Sequence, residues 1–224
     1  MLVINNKIII AHMKKCGGTS VCKGMIENLP AHSVEYWGYT PEGEDKSARS
    51  RRRGGVWKHS PVAEILDKLP GERNNFTVYL ISLRPWWDRV GSFYFHAKRY
   101  NKRTGTKYAW AENMSFSDYI RSPYMEEVEH LDRFCQGRDG AVLPDYFVSY
   151  DGLAGWYRER MAEFGVRDAE LPEYNRGRAK FADGYRALYT PGDFAYLEEK
   201  FAGETALAAR LAPSGCGQLA LSAA

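Results

Sequence analysis

The sequence predicts an α/β protein built on a central, mostly parallel sheet. Three observations carry this. Phe76 to Leu83 (F-T-V-Y-L-I-S-L) is apolar at nearly every position, as a strand buried on both faces requires. A β-branched run, Lys7-Ile8-Ile9-Ile10-Ala11, leads into a Gly-containing turn and then into apolar residues at helical spacing. Strand and helix patterns then alternate, which is the order of parallel βαβ units.

The elements follow in order. After the first strand, Val21, Met25, Ile26 and Leu29 fall on one helical face, and Pro30 stops the helix. Residues 38–58 carry Gly, Pro, Ser and Arg with little periodicity and are expected to be a loop. A helix is expected from Ser60, with Pro61 at its first position and Val62, Ile65, Leu66 and Leu69 facing inward. The long strand at 76–83 ends at Arg84, and Asp88 to Tyr100 is helical in pattern. Residues 101–115 are polar and irregular. Ser117 to Leu131 is expected as a helix interrupted at Pro123, Tyr146 to Tyr150 as a third strand, and Gly155 to Phe164 as a helix. Thr190-Pro191-Gly192-Asp193 carries an N-cap, a first-turn Pro and an acid at the third position, so a helix should run to about Phe201. One domain is expected over 1–202, with the Ala- and Gly-rich 203–224 as a loosely ordered tail.

Composition narrows the function classes. The 224 residues have 44% hydrophobic and 26% charged content, which suits a packed domain and not a disordered chain. The net charge of +3 does not point to nucleic acid. Aromatics reach 14%, which fits either a dense core or stacking platforms. Charge is uneven: Lys46 to Lys58 holds Arg49, Arg51, Arg52 and Arg53 and no acid, a solvated run or a landing surface for an anion. The four cysteines, Cys16, Cys22, Cys135 and Cys216, form no CxxC pair and no zinc-type spacing with histidine. No metal is expected. A reducing, cytoplasmic setting is the expectation, with no membrane span, because the early apolar run is too short for one.

The turn after the first strand has the chemistry of an anion site. A helix N-terminus offers unpaired N–H groups and partial positive charge. Gly17 and Gly18 let the backbone close around a phosphate, Thr19 and Ser20 add hydroxyls, and Lys15 adds charge. It is not a Walker A loop, whose Lys comes late, in GxxxxGK[ST].

I-A-H-M-K-K-C-G-G-T-S resembles the 5′-phosphosulfate loop of the sulfotransferases that use 3′-phosphoadenosine-5′-phosphosulfate (PAPS), whose pattern there is h-x-P-K-x-G-G-T-S. Lys15, Gly17, Gly18, Thr19 and Ser20 match, with Cys16 between them, and Lys14 stands in the place of Pro. Leu83-Arg84-Pro85-Trp86-Trp87-Asp88 through Ser92 is similar to that family's 3′-phosphate segment, where an Arg at a strand end precedes a Ser by eight positions. Trp57-Lys58-His59-Ser60-Pro61 resembles its intervening H-[ST] segment. Pro172 to Asn175 and Tyr189 to Phe194 resemble its C-terminal pattern. The resemblance implies a three-layer, P-loop-NTPase-like sulfotransferase fold over about Lys7 to Phe201. It also implies PAPS as donor, adenosine-3′,5′-bisphosphate (PAP) as product, and a saccharide or small-molecule acceptor.

Sulfuryl transfer needs in-line placement and neutralisation of charge on the leaving oxygen. Lys15 is assigned the neutralisation. An acceptor hydroxyl also needs a base, and His59 is the first choice, with Glu64, His96 and His12 as the others. Arg84 and Ser92 are assigned to the 3′-phosphate, with Arg176, Arg178 and Lys180 in a late basic loop that closes over it in many family members. Two other readings stand beside this one: a kinase-like enzyme with a degenerate loop, and a non-catalytic module that binds an anion around Arg51.

Overall fold

The computed structural model describes residues 1–104, 107–174 and 184–211 and the backbone of 218–220, with the side chains of 102–104 and 218–220 excepted. Arg176, Arg178 and Lys180 lie outside the described residues.

The chain opens with a hairpin that the sequence reading did not foresee. β1 (Leu2–Ile4) and β2 (Ile8–His12) pair antiparallel, Leu2 opposite Ile10 and Ile4 opposite Ile8. Asn5 and Asn6 make the turn at φ 50° and 53°, and the Lys7 amide closes it onto the Ile4 carbonyl at 3.0 Å. Asparagine tolerates this left-handed backbone better than other non-glycine residues, which is what a tight hairpin needs. α1 (Gly18–Asn28) follows, with Val21, Cys22 and Met25 buried. β3 (Val34–Tyr36) then pairs antiparallel on the far side of β1.

Residues 41–52 are a helix, α2 (Pro41–Arg52), where a loop was expected. Its signals are polar. The Thr40 hydroxyl accepts from the Gly43 amide at 3.1 Å, Pro41 takes the first position, and Glu42 and Glu44 fill the first turn. Arg49, Arg51 and Arg52 fill the last turn, so charge is sorted along the helix dipole. α2 buries only Gly43 and Ser47, which is why no apolar period announced it. α3 (Val62–Lys68) begins one residue later than expected, with Pro61 as its N-cap.

β4 (Thr77–Leu83) lies beside β2 in parallel, and β5 (Tyr146–Ser149) lies parallel beside β4. α4 (Trp86–Thr104) leaves the end of β4 and extends further than expected. The segment expected as one interrupted helix from Ser117 breaks into α5 (Phe116–Arg121), a 3₁₀ stretch at Pro123–Glu127, and α6 (Leu131–Cys135). α7 (Leu153–Glu163) follows β5. α8 (Pro191–Lys200) has the expected N-terminus, with Thr190 and Asp193 completing a reciprocal capping box. The expected loose tail instead begins as a helix, α9 (Ala202–Leu211), with Leu207 and Leu211 in the core. β6 (Gln218–Ala220) closes the sheet antiparallel to β5.

The sheet order is β3-β1-β2-β4-β5-β6. The expectation of a mostly parallel sheet is corrected. Among the described residues only the central trio β2-β4-β5 is parallel, and the hairpin partners and β6 make the flanks antiparallel, so the sheet is open and mixed. Val78, Leu80 and Ile81 of β4 are fully buried, so both faces of the centre are covered. Burying each such side chain contributes about 1.5–3 kcal/mol, which makes β4 a rigid base for whatever its end presents. A second apolar cluster joins α4, α5 and α8 around Phe93, Tyr119 and Phe201.

α9 is fastened by a buried ion pair. Arg89 on α4 is 1% exposed, and its Nη2 donates to both carboxylate oxygens of Glu204. Glu204 also accepts the Leu131 amide at 2.9 Å. A partner lost from a buried pair strands the other charge. Glu204→Ala should therefore cost about 3–5 kcal/mol in urea unfolding, and Arg89→Met combined with Glu204→Leu should recover most of that. A loss below about 1 kcal/mol for Glu204→Ala would contradict this role.

Candidate functional site

The Gly-containing turn lies at the carboxyl end of β2, and Arg84 lies at the carboxyl end of β4, its parallel neighbour. Ends of adjacent parallel strands are where open α/β sheets gather ligand-binding groups.

The turn's conformation alternates. Lys15 has φ 67° and Gly17 has φ 84°, and Gly17 caps α1 with no side-chain hydrogen bond. Left-handed residues set among right-handed ones curl successive N–H groups toward one concave side, a geometry that binds anions. Met13 donates to the Ile81 carbonyl at 3.1 Å and Lys14 to a carboxylate oxygen of Glu129 at 2.6 Å. The next acceptor is met only by Ser20, on the Gly17 carbonyl at 3.0 Å. The five amides from Lys15 to Thr19 have no acceptor among the described residues.

Packing explains the glycines. A Cβ on Gly17 would lie 2.5 Å from Leu153 Cδ2, and one on Gly18 would lie 2.0 Å from His12 Cγ. The Cys16 side chain points into the core, with Sγ 3.5 Å from the Ser82 carbonyl, and burial pushes its thiol up to about 12. Cys16 thus offers the site its amide alone.

The side chains assigned from sequence divide into those that are open and those already engaged. The Lys15 ammonium has no acceptor among the described residues. Burial, then Arg99 and Arg84, lower its pKa to about 8. An ammonium held so, among other cations, is improved by an anion. The Thr19 hydroxyl has no partner among the described residues, but Ser20 is engaged: its Oγ accepts the Tyr174 amide at 3.1 Å and faces the Tyr174 carbonyl at 3.4 Å.

Arg84 is engaged on three sides. Nε donates to Asp88 at 2.7 Å, Nη1 donates to the Lys15 carbonyl, and the guanidinium lies 4.2 Å from the centre of the Tyr150 ring. Nη2 has no acceptor among the described residues. Arg84 therefore holds the turn while keeping one donor to spare. Ser92, two turns along α4, is buried, and its hydroxyl makes no hydrogen bond among the described residues. His96 and Arg99 continue that face at spacings of four and three.

His59 lies edge-on to His12, with ring centres 4.8 Å apart, and His12 packs against Gly18, so His59 flanks the turn. Burial and the neighbouring His12 hold its pKa well below the ordinary value, so it is neutral at neutral pH. Its Nδ1 is buried with no hydrogen-bond partner among the described residues. His12 is committed elsewhere. Its Nδ1 faces the Met13 carbonyl at 3.2 Å and so carries the proton, and its Nε2 accepts from the Tyr39 hydroxyl, which in turn accepts from the Met1 amino group. Burial lowers the His12 pKa to about 3. His96 is lowered to about 4, by burial and then by Lys15 and Arg99. Glu64 pairs with Lys68 at 2.6 Å, as a solvated helix residue does.

Sequence reading missed Tyr39, Arg89, Glu129 and Glu204. None belongs to a local motif, because each meets its partner only through the fold.

The chain matches no family model, no curated protein and no solved structure. Among the described residues, no group of three or more His, Cys, Asp or Glu is placed to hold a metal, and no helix is long and apolar enough to cross a membrane.

His12 and His59 set a pH dependence. Their folded pKa values lie below the unfolded value of about 6.5, so the unfolded chain binds more protons and stability falls with acidification below about pH 6.5. Between pH 6.5 and 5 His12, whose folded pKa is about 3, should remove about 1.7 kcal/mol from the unfolding free energy, and His59 should act in the same direction. His59→Asn should make the slope shallower. An unchanged slope would show that His59 is solvated.

Proposed function

We propose that this chain is a PAPS-dependent sulfotransferase that transfers a sulfuryl group to an acceptor hydroxyl on a saccharide or small molecule. The observation that carries the reading is the run of five amides, Lys15 to Thr19, that meet no acceptor among the described residues, together with a Lys15 ammonium that meets none either. This donor set, many N–H groups and one cation, fits the 5′ end of the nucleotide. Arg84 Nη2 and the Ser92 hydroxyl supply the donors a 3′-phosphate needs, on the neighbouring strand end and its helix. Two phosphate sites on adjacent parallel strands fit a P-loop-like sulfotransferase fold.

PAPS, when bound, supplies the sulfuryl group. The residues of the chain have separate tasks. The amides of 15–19 and the Thr19 hydroxyl hold the 5′-phosphate. Lys15, kept short of counter-charge, neutralises the leaving oxygen as charge develops there. His59, neutral at working pH, takes the acceptor hydroxyl's proton as the new S–O bond forms. Arg84 fixes the turn through the Lys15 carbonyl, so loss of Arg84 is felt at both phosphates. Ser20 anchors residue 174 and is not a free phosphate donor.

The rival readings have less to rest on. The turn lacks the late Lys of a kinase loop. The basic segment around Arg51 lies largely on a helix whose charges are mostly spent: Arg49 pairs with Asp45, Lys46 with Glu35, and Arg51 stacks over Trp57 at 4.2 Å.

Adenosine-3′,5′-bisphosphate should raise the melting temperature more than AMP or ATP at equal concentration. Linkage gives about 2.7 kcal/mol at a hundredfold excess over Kd. In assays with labelled PAPS and an acceptor library, Lys15→Met and His59→Gln should each lower turnover about 10²- to 10⁴-fold, with His59→Gln leaving bisphosphate affinity unchanged. Equal stabilisation by ATP and the bisphosphate would overturn the reading.

A further inference from the structure

Lys14 stands where the resembling pattern carries proline, and it uses the group proline lacks. Its backbone N–H donates to Glu129 Oε2 at 2.6 Å. Its side chain turns the same way: Nζ lies 3.6 Å from Glu129 Oε1 and 4.0 Å from Glu127 Oε2, and donates to the Glu127 carbonyl at 3.0 Å. Glu129 is itself fixed from below. Its carbonyl accepts from Arg89 Nη1 at 2.6 Å, and Arg89 Nε donates to the Arg84 carbonyl at 3.2 Å. Residues 14, 84 and 129, distant in sequence, thus meet in one polar frame that borders both strand ends.

A carboxylate at this point needs explaining. It bonds the amide directly before the five open ones, about one Cα step of 3.8 Å away. A negative charge that close to an anion site repels the anion. Burial also opposes the ionised acid and raises its pKa, while Lys14 and Arg89 act the other way. An uncharged acceptor would have avoided both penalties. The carboxylate gives a short charge-assisted bond that fixes the direction in which the chain enters the turn.

We propose that Glu129 is a positioning residue for the phosphate turn and that Lys14 is its charge mask. Glu129 takes the Lys14 amide out of the concave set and fixes the backbone so that the amides of 15–19 converge. Lys14 neutralises Glu129 so that the carboxylate does not oppose the bound phosphate. Neither residue touches the reacting atoms. The proposal rests on the reading of residues 15–19 as a phosphate site.

The test pairs calorimetric Kd values for adenosine-3′,5′-bisphosphate with residue-level hydrogen exchange and urea stability. Lys14→Met keeps the backbone N–H and unmasks the charge, so Kd should weaken on the order of tenfold. Glu129→Gln keeps an acceptor oxygen and removes the charge, so Kd should stay within about twofold, and in the double variant it should rescue Lys14→Met to within about threefold. Glu129→Ala, which has no acceptor, should weaken Kd about tenfold with either residue at 14, and should speed exchange at residues 14–19 beyond any fall in global stability. The proposal is overturned if the Lys14→Met loss persists beside Glu129→Gln, or if Glu129→Ala leaves both Kd and exchange at 14–19 unchanged. A parent chain that binds no bisphosphate would sink the phosphate reading separately. Exchange in Glu129→Ala then decides the positioning role by itself.

Discussion

One guanidinium ties the two halves of the site together. Arg84 reaches from the end of β4 to the Lys15 carbonyl at the end of β2, across 69 positions of sequence. Its other contacts leave it little freedom: Asp88 holds Nε, and the guanidinium lies over the Tyr150 ring. A carbonyl fixed in this way fixes the peptide that follows it, so the Cys16 amide faces the other way. The chain's own contacts thus tie the turn to the end of β4. Such preorganisation lets donors meet an anion without reorganising first.

The same region concentrates unspent positive charge. Lys15 has no counter-ion among the described residues and is depressed by burial and by Arg99 and Arg84, while His96 feels Lys15, Arg99 and Lys107. The fold could satisfy these groups with acids, as it does on α2 and between Arg121 and Asp193 at 2.5 Å. Here Asp88 pairs with Arg84 alone, and the other carboxylates sit one layer back, Glu129 against Lys14 and Glu204 against Arg89. Cation in front and acid behind is the arrangement that attracts an anion while keeping the buried framework neutral.

Much of this was legible in the chain. The β-branched run ending at two glycines placed β2, the turn and α1, because burial and close approach leave a direct composition signal. The apolar octet before Arg84 placed β4 for the same reason. What escaped was built by other forces. α2 is held by a cap, a first-turn proline and sorted charges, so a search for apolar period passed over Thr40-Pro41 and Glu44. The β1–β2 hairpin was announced only by Asn5-Asn6, and it makes the sheet mixed. α9 was read as loose from its Ala and Gly, although alanine is the best helix former and the buried Glu204 anchors it. At the site, Lys15 and the glycines were legible as a local motif. Arg89, Glu129 and Tyr39 were not, since a side chain that acts from 27 to 115 positions away leaves no local pattern.

The central claim is that the amides of Lys15 to Thr19 form an anion site. Titrating adenosine-3′,5′-bisphosphate into the ¹⁵N-labelled chain and following amide proton shifts tests it most directly. The five resonances from Lys15 to Thr19 should move downfield together as their N–H groups gain phosphate acceptors, while Lys14, already bonded to Glu129, should move least. Saturable shifts confined to the basic end of α2, with residues 15–19 unmoved, would contradict the account.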